Sequence, residues 1–145
     1  MARCQRTGSR MALMYLDIDH FKSINDTYGH GVGDLVLCEV ANRLKSSIRV
    51  TDTAARLAGD EFVLILEDLS DQDEVQMIAE KLVGTIRATM QLGDHKIHAT
   101  TSIGITLCEG NELNPAALVA RADRALYQAK AAGRDTFWLD VPPGT

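Results

Sequence analysis

Arg56-Leu57-Ala58-Gly59-Asp60-Glu61-Phe62 reverses the chain between two strand-like segments and carries two adjacent acids at the reversal. Upstream, Asp52 to Leu57 is short and partly apolar. Downstream, Phe62-Val63-Leu64-Ile65-Leu66 is an unbroken apolar run of strand length, the pattern of a central strand covered on both faces. Gly59 supplies the positive φ that a tight hairpin requires. Asp60 and Glu61 therefore stand at the tip of a rigid hairpin. From these residues alone a solvated acidic turn is the simpler reading, and the surrounding chain weighs against it.

Met11 to Leu16 is a second all-apolar stretch, and it ends on Asp17-Ile18-Asp19. The carboxyl ends of strands are where open α/β sheets bind ligands. Asp19 has a simple structural role available, as N-cap of a short helix starting at His20-Phe21-Lys22. Asp17, read as the last strand residue, has none. Between Ile24 and Asp34, Gly29, Gly31 and Gly33 predict a bent loop, after which Asp34 opens a helix. Leu37, Ala41, Leu44 and Ile48 share one face of that helix. A Gly-rich loop before a helix suits phosphate, but this one matches neither of the common nucleotide-loop patterns. Asp34 reads equally as a plain N-cap. Arg49-Val50-Thr51-Asp52 reads as a local ion pair of little energetic weight, or as a clamp for an anion and a base edge; the residues alone favour the first.

Farther on, Ser70 or Asp71 caps a helix with Val75, Ile78, Ala79, Leu82, Val83 and Ile86 in one stripe. Gly93-Asp94 turns the chain. Residues 97–107 alternate apolar and polar, predicting one strand with a single oily face. His95 and His98 lack partners at metal-ligand spacing and read as surface residues. Asn114-Pro115 is a cap followed by proline at the first helical position, and Gly133 is the stop. Lys130 and Arg134 at that end suit the helix dipole. Phe137 to Leu139 reads as a short last strand. The order of elements predicts an α+β fold, helices packed on a mostly antiparallel sheet in a split ferredoxin-like arrangement.

The chain has 145 residues, enough for one domain and one core. A net charge of −5 argues against broad binding to DNA, RNA or anionic membranes. Three cysteines without paired spacing fit free thiols in a reducing cytoplasm. No apolar run is long enough to cross a bilayer. Residues 140–145, rich in proline and glycine, read as a frayed tail.

Taken in order, Leu16-Asp17-Ile18-Asp19-His20-Phe21-Lys22, Ile24-Asn25-Asp26, Gly29-His30-Gly31-Val32-Gly33-Asp34, Ala58-Gly59-Asp60-Glu61-Phe62 and Ala122 to Arg134 resemble the GGDEF family, the bacterial diguanylate cyclases. The resemblance runs from about Met11 to Leu139. It implies the palm fold of nucleotide cyclases and polymerases, and the condensation of two GTP into cyclic di-GMP by a homodimer of such domains. It implies Mg²⁺ or Mn²⁺ held by Asp17, Asp60 and the Ile18 carbonyl, with Glu61 assembling the metal site or handling the 3′-hydroxyl proton. Asn25 and Asp34 would read guanine, Gly59 would let the nucleotide approach, and Lys22, Lys130 and Arg134 would hold phosphates. Arg49 and Asp52 match the family's RxxD product-inhibition site.

Two departures stand out. Ala58 occupies the position of the usual first glycine. The DxLTGLxNR stretch that usually precedes the first strand is not matched by Met1 to Arg10, so residues 1–145 read as a single domain excised from a larger protein. Two other expectations therefore stand beside an active cyclase: a non-catalytic cyclic di-GMP receptor using Arg49 and Asp52, and a GTP-binding or protein-interaction module.

Overall fold

The computed structural model describes residues 10–108 and 114–140. Residues 1–9 and 141–145 lie outside the described residues; of the expected frayed tail only Asp140 is described, as the last residue of a strand. Strand β1 (Arg10–Ile18) leads into α1 (Phe21–Tyr28) and α2 (His30–Ser47), then the hairpin of β2 (Thr53–Ala58) and β3 (Glu61–Leu69). Helix α3 (Gln72–Arg87), a small β4 (Met90–Leu92) and β5 (His95–Ile97) pair, β6 (Thr101–Cys108), α4 (Pro115–Ala131) and β7 (Thr136–Asp140) follow. The main sheet has the order β2-β3-β1-β6-β7. Neighbours are antiparallel except β6 and β7. That exception follows from α4, whose crossover returns the chain in the direction it left. The expected α+β, ferredoxin-like sheet flanked by helices is the fold found.

β1 is central, so it is buried on both faces, as its unbroken apolar run requires. Ala12, Met14, Leu16 and Ile18 face one side and pack with Leu64, Leu66, Ile103 and Ile105 against α2 and α3. Met11 and Leu13 face the other side, against Leu118 and Ala122 of α4. Burial of these side chains, at roughly 1.5–3 kcal/mol for each large one, is the main source of stability. α4 lies close on β6: a Cβ added at Gly104 would sit 2.1 Å from both the Ala122 carbonyl oxygen and the Leu126 backbone nitrogen.

The structure corrects the sequence at three places. Residues 97–107 are not one strand: Ile97 pairs back to Met90 in the separate two-stranded sheet, and β6 is buried on both faces. Its alternate residues Ser102, Gly104 and Thr106 made one face look solvated, yet Ser102 and Thr106 are buried. Gly31 and Gly33 do not bend a loop, because α2 already runs from His30, and Asp34 lies within the helix, past its first turn, instead of capping it. Gly29, with φ of 91°, is the cap and makes the break between α1 and α2. Asp19 does not cap α1 either: the cap is His20, in the left-handed region and without a side-chain bond. The expected caps at Asp71 and Asn114 are present, accepting from Glu74 N and Ala117 N.

Candidate active site

The hairpin turns at Gly59-Asp60, with Gly59 at φ of 50°. Arg56 Nε braces it, donating to the Gly59 carbonyl at 2.7 Å. The β2–β3 register shifts between Arg56 and Ala58, leaving Leu57 as the extra residue of a bulge, a device common beside active sites. Ala58 is exposed and is not among the residues of positive φ, so its methyl group strains nothing in the backbone.

Asp17 lies directly opposite Glu61 across the β1–β3 ladder. β1 runs one residue beyond Asp17, to Ile18. The register thus brings the acids of two strands to one end of the sheet. Asp17 is 9% exposed. Its Oδ2 meets Lys130 Nζ at 2.6 Å, while its Oδ1 is buried without a hydrogen-bond partner. Burial raises the Asp17 carboxyl above its ordinary value; the Lys130 ammonium pulls the other way, and Asp60 and Asp19 add to the rise. Nothing in local spacing announces the Lys130–Asp17 pair, because it joins the far end of α4 to β1.

Lys130 and Arg134 owe their placement to the end of α4. Arg134 N donates to the Ala129 carbonyl and Gly133 N to the Lys130 carbonyl, the two bonds of a Schellman cap. Gly133 has φ of 119°, and Arg134 itself is left-handed at 64°. Arg134 is exposed just beyond the lysine that reaches Asp17.

Asp19 is the residue that sequence reasoning undervalued. It is 5% exposed, and its carboxylate accepts three hydrogen bonds from distant segments. Thr100 Oγ1 and Ser102 Oγ donate to its two carboxylate oxygens at 2.6 Å each, and Asp135 N donates at 3.0 Å. Its own backbone N–H donates to the Thr100 carbonyl at 2.8 Å. One carboxylate therefore ties the exit of β1, the entry of β6 and the segment after Arg134 together. The Asp-x-Asp spacing was the signal, and the competing cap reading hid it.

Lys22 is exposed on α1. Asn25, also on α1, lies over Gly33: a Cβ there would fall 1.8 Å from Asn25 Oδ1. That oxygen is buried without a partner, and Asp34 follows Gly33 on the exposed side of α2. Away from the acids, Arg49 and Asp52 form a bidentate pair, Nε and Nη2 each 3.1 Å from a carboxylate oxygen. Asp52 also accepts from the backbone N–H groups of Arg49 and Glu67. Burial alone would raise its carboxyl, but Arg49 and these donors outweigh burial and hold it below the ordinary range. Arg49 also donates to the Glu67 carbonyl. Both expected readings of this pair share that geometry.

A ferredoxin-like sheet with acids from two neighbouring strands at one end, and cations from a facing helix, defines a palm-type domain. The chain belongs to the GGDEF family: the family described as "Diguanylate cyclase, GGDEF domain" matches residues 1–136. It is 43% identical to the bifunctional diguanylate cyclase/cyclic di-GMP phosphodiesterase MucR of Pseudomonas aeruginosa over 91% of this chain and 19% of that protein. It is 42% identical to the response regulator PleD of Caulobacter vibrioides over 88% of this chain and 29% of that one. It thus spans less than a third of these relatives' length. Among solved structures, the GGDEF domain of YfiN (TpbB) from Pseudomonas aeruginosa superposes with a TM-score of 0.88 at 35% identity, covering 95% of this chain and 89% of that one. The GGDEF domain of DgcB from Caulobacter crescentus, solved with cyclic di-GMP, superposes with a TM-score of 0.86 at 30% identity, covering 95% and 82%. Among the described residues no helix is long and apolar enough to cross a membrane.

Proposed function

We propose that this domain is a diguanylate cyclase, which condenses two GTP into cyclic di-GMP as one half of a homodimer. The observation that carries the proposal is the opposition of Asp17 and Glu61 beside Asp60, with Asp17 Oδ1 buried and unpartnered. A buried carboxylate oxygen without a donor is costly unless a cation completes it. Among the described residues no three metal-binding side chains form a ready cage. Mg²⁺ does not need one, since it keeps waters and phosphate oxygens in its shell and uses one or two carboxylates. Asp17, Asp60 and the Ile18 carbonyl would hold Mg²⁺ or Mn²⁺, which supplies neutralisation of charge developing on the phosphates.

In this reading each 3′-hydroxyl oxygen bonds to the α-phosphorus of the facing GTP, the bond to the bridging oxygen breaks, and pyrophosphate leaves. Glu61 serves the metal shell or takes the 3′-hydroxyl proton. Lys22, Lys130 and Arg134 hold the β- and γ-phosphates. Lys130 must turn from Asp17 to do so. The unpartnered Asn25 Oδ1 fits a donor on guanine, and Asp34 accepts from the N1–H and exocyclic amine. Gly59 leaves the nucleotide room at the turn. Incubation with GTP and Mg²⁺, with dimerisation forced by fusion, is expected to yield cyclic di-GMP, and Asp60→Asn to lose it by about a hundredfold or more. No product from the fused wild type sinks the proposal, and turnover retained by the variant sinks the metal site.

Arg49 and Asp52 are proposed as the product-inhibition site. Their preformed, bidentate geometry is also what favours the second reading, a receptor that binds cyclic di-GMP without turning over GTP. Binding without product formation selects that reading.

A further inference from the structure

Glu61 has a partner that the proposed chemistry does not use. Tyr15 stands two residues before Asp17 on β1, so both side chains leave the same face of the sheet. Val63 is directly opposite Tyr15, which makes Glu61 its diagonal neighbour, a gap that long side chains bridge. The Tyr15 hydroxyl bridges it, donating to Glu61 Oε2 at 2.9 Å. On the other side Tyr15 pairs with Gly104, where the α4 backbone stands in place of a side chain. The ring itself packs on the cluster that contains Leu13, Leu118 and Ala122. Sheet and helix together leave the ring little freedom, so its hydroxyl is a fixed donor.

Packing alone does not require that hydroxyl. A phenylalanine would fill the same half-buried place without desolvating a polar atom. Glu61 sits beside Asp60 and opposite Asp17, two acids that offer its carboxylate no donor, whereas the Tyr15 hydroxyl does. We propose that Tyr15 is a positioning residue, holding the Glu61 carboxylate in one orientation at the mouth of the site. This deepens the cyclase reading and rests on it. Positioning of this kind acts through alignment at the moment of reaction, where small displacements are expensive.

Tyr15→Phe removes the hydroxyl and keeps the ring. Expected in the fused, dimeric protein is a fall in kcat of about tenfold or more, the size of one lost bond to a charged group. The KM for GTP and the melting temperature are expected to stay close to wild type, because ring packing and nucleotide contacts are untouched. Crystal structures of both proteins with a non-hydrolysable GTP analogue and Mg²⁺ give a readout independent of turnover. Glu61 is expected in one orientation in wild type and in a shifted or split one in the variant. An unchanged Glu61 overturns the proposal, and so does a loss of kcat matched by a rise in KM and a fall in melting temperature. Should wild type form no cyclic di-GMP, the cyclase reading falls, and the orientation of Glu61 alone decides for or against Tyr15.

Discussion

Gly104→Ala tests how tightly α4 is set on the sheet. The added Cβ would meet the Ala122 carbonyl oxygen and the Leu126 nitrogen at 2.1 Å, and Leu126 Cα at 2.7 Å. All three are backbone atoms, so no rotamer change relieves the clash. Non-bonded contact needs about 3.5 Å, and the helix must therefore withdraw by roughly 1.4 Å. Overpacking of this kind costs about 1–3 kcal/mol, and the upper end fits a clash with backbone. For a domain of this size that lowers the melting temperature by about 10 °C. The functional loss should exceed the stability loss. Lys130 and Arg134 ride on the displaced end of α4, and Lys130 now lies 2.6 Å from Asp17. A displacement of about 1 Å in a positioning group costs about a hundredfold in rate. Thermal unfolding and cyclic di-GMP formation, measured well below the variant's melting temperature, check both parts. A variant with wild-type melting temperature and activity would refute the close packing of α4 and its role in placing the cations.

Arg49→Ala should weaken binding of cyclic di-GMP by about tenfold or more, as loss of a bidentate charged contact does; equal affinity by calorimetric titration removes the product-site assignment. Asp19→Asn replaces an acceptor with a donor facing Thr100, Ser102 and Asp135 N, and should cost about 1–3 kcal/mol in chemical denaturation, whereas an unchanged midpoint means the three-way tie is not holding the segments. The pH dependence has opposite signs at two carboxyls. Asp17 is raised above its ordinary 3.8, so what it adds to stability is present below that pH and is lost as pH climbs through its raised value. Asp17→Asn stays neutral, and its melting temperature should gain on wild type from about pH 4 upward; a constant difference across pH refutes this. Asp52 is lowered, so its contribution is present above 3.8 and lost as pH falls through its folded value, and Asp52→Asn should flatten that acid limb.

Much of the architecture was legible because it rests on short-range patterns. The apolar runs of β1 and β3 and the glycine at the hairpin identified a central sheet and its turn. Proline after Asn114 and Gly133 bounded α4. The sequence misled where one residue type serves two physical ends. Alternating polar residues in β6 resembled a solvated face, yet Ser102 Oγ is spent on a buried bond to Asp19 and Thr106 is fully buried. Glycines at 31 and 33 resembled a loop, yet Gly33 is small because Asn25 occupies its side-chain space. The candidate site was legible as a set of residue types, since carboxylates at strand ends have few structural excuses. Its pairings were not, because Lys130–Asp17 and Tyr15–Glu61 depend on register and helix placement across most of the chain.

That register has a further consequence. Side chains alternate along a strand, so a slip of one residue between β1 and β3 would exchange the two faces. Asp17 would then point where Leu16 and Ile18 now sit, among Leu64 and Leu66. β1 is apolar on both faces, so what a slip penalises is the burial of that carboxylate among leucines, and the alignment that avoids it sets Asp17 opposite Glu61. The apolar core thus acts as an indexing device for the acids on its far side, rejecting misalignment before any ligand arrives. Selection for a folded sheet and selection for an assembled carboxylate pair are, at this end of the molecule, selection for the same thing.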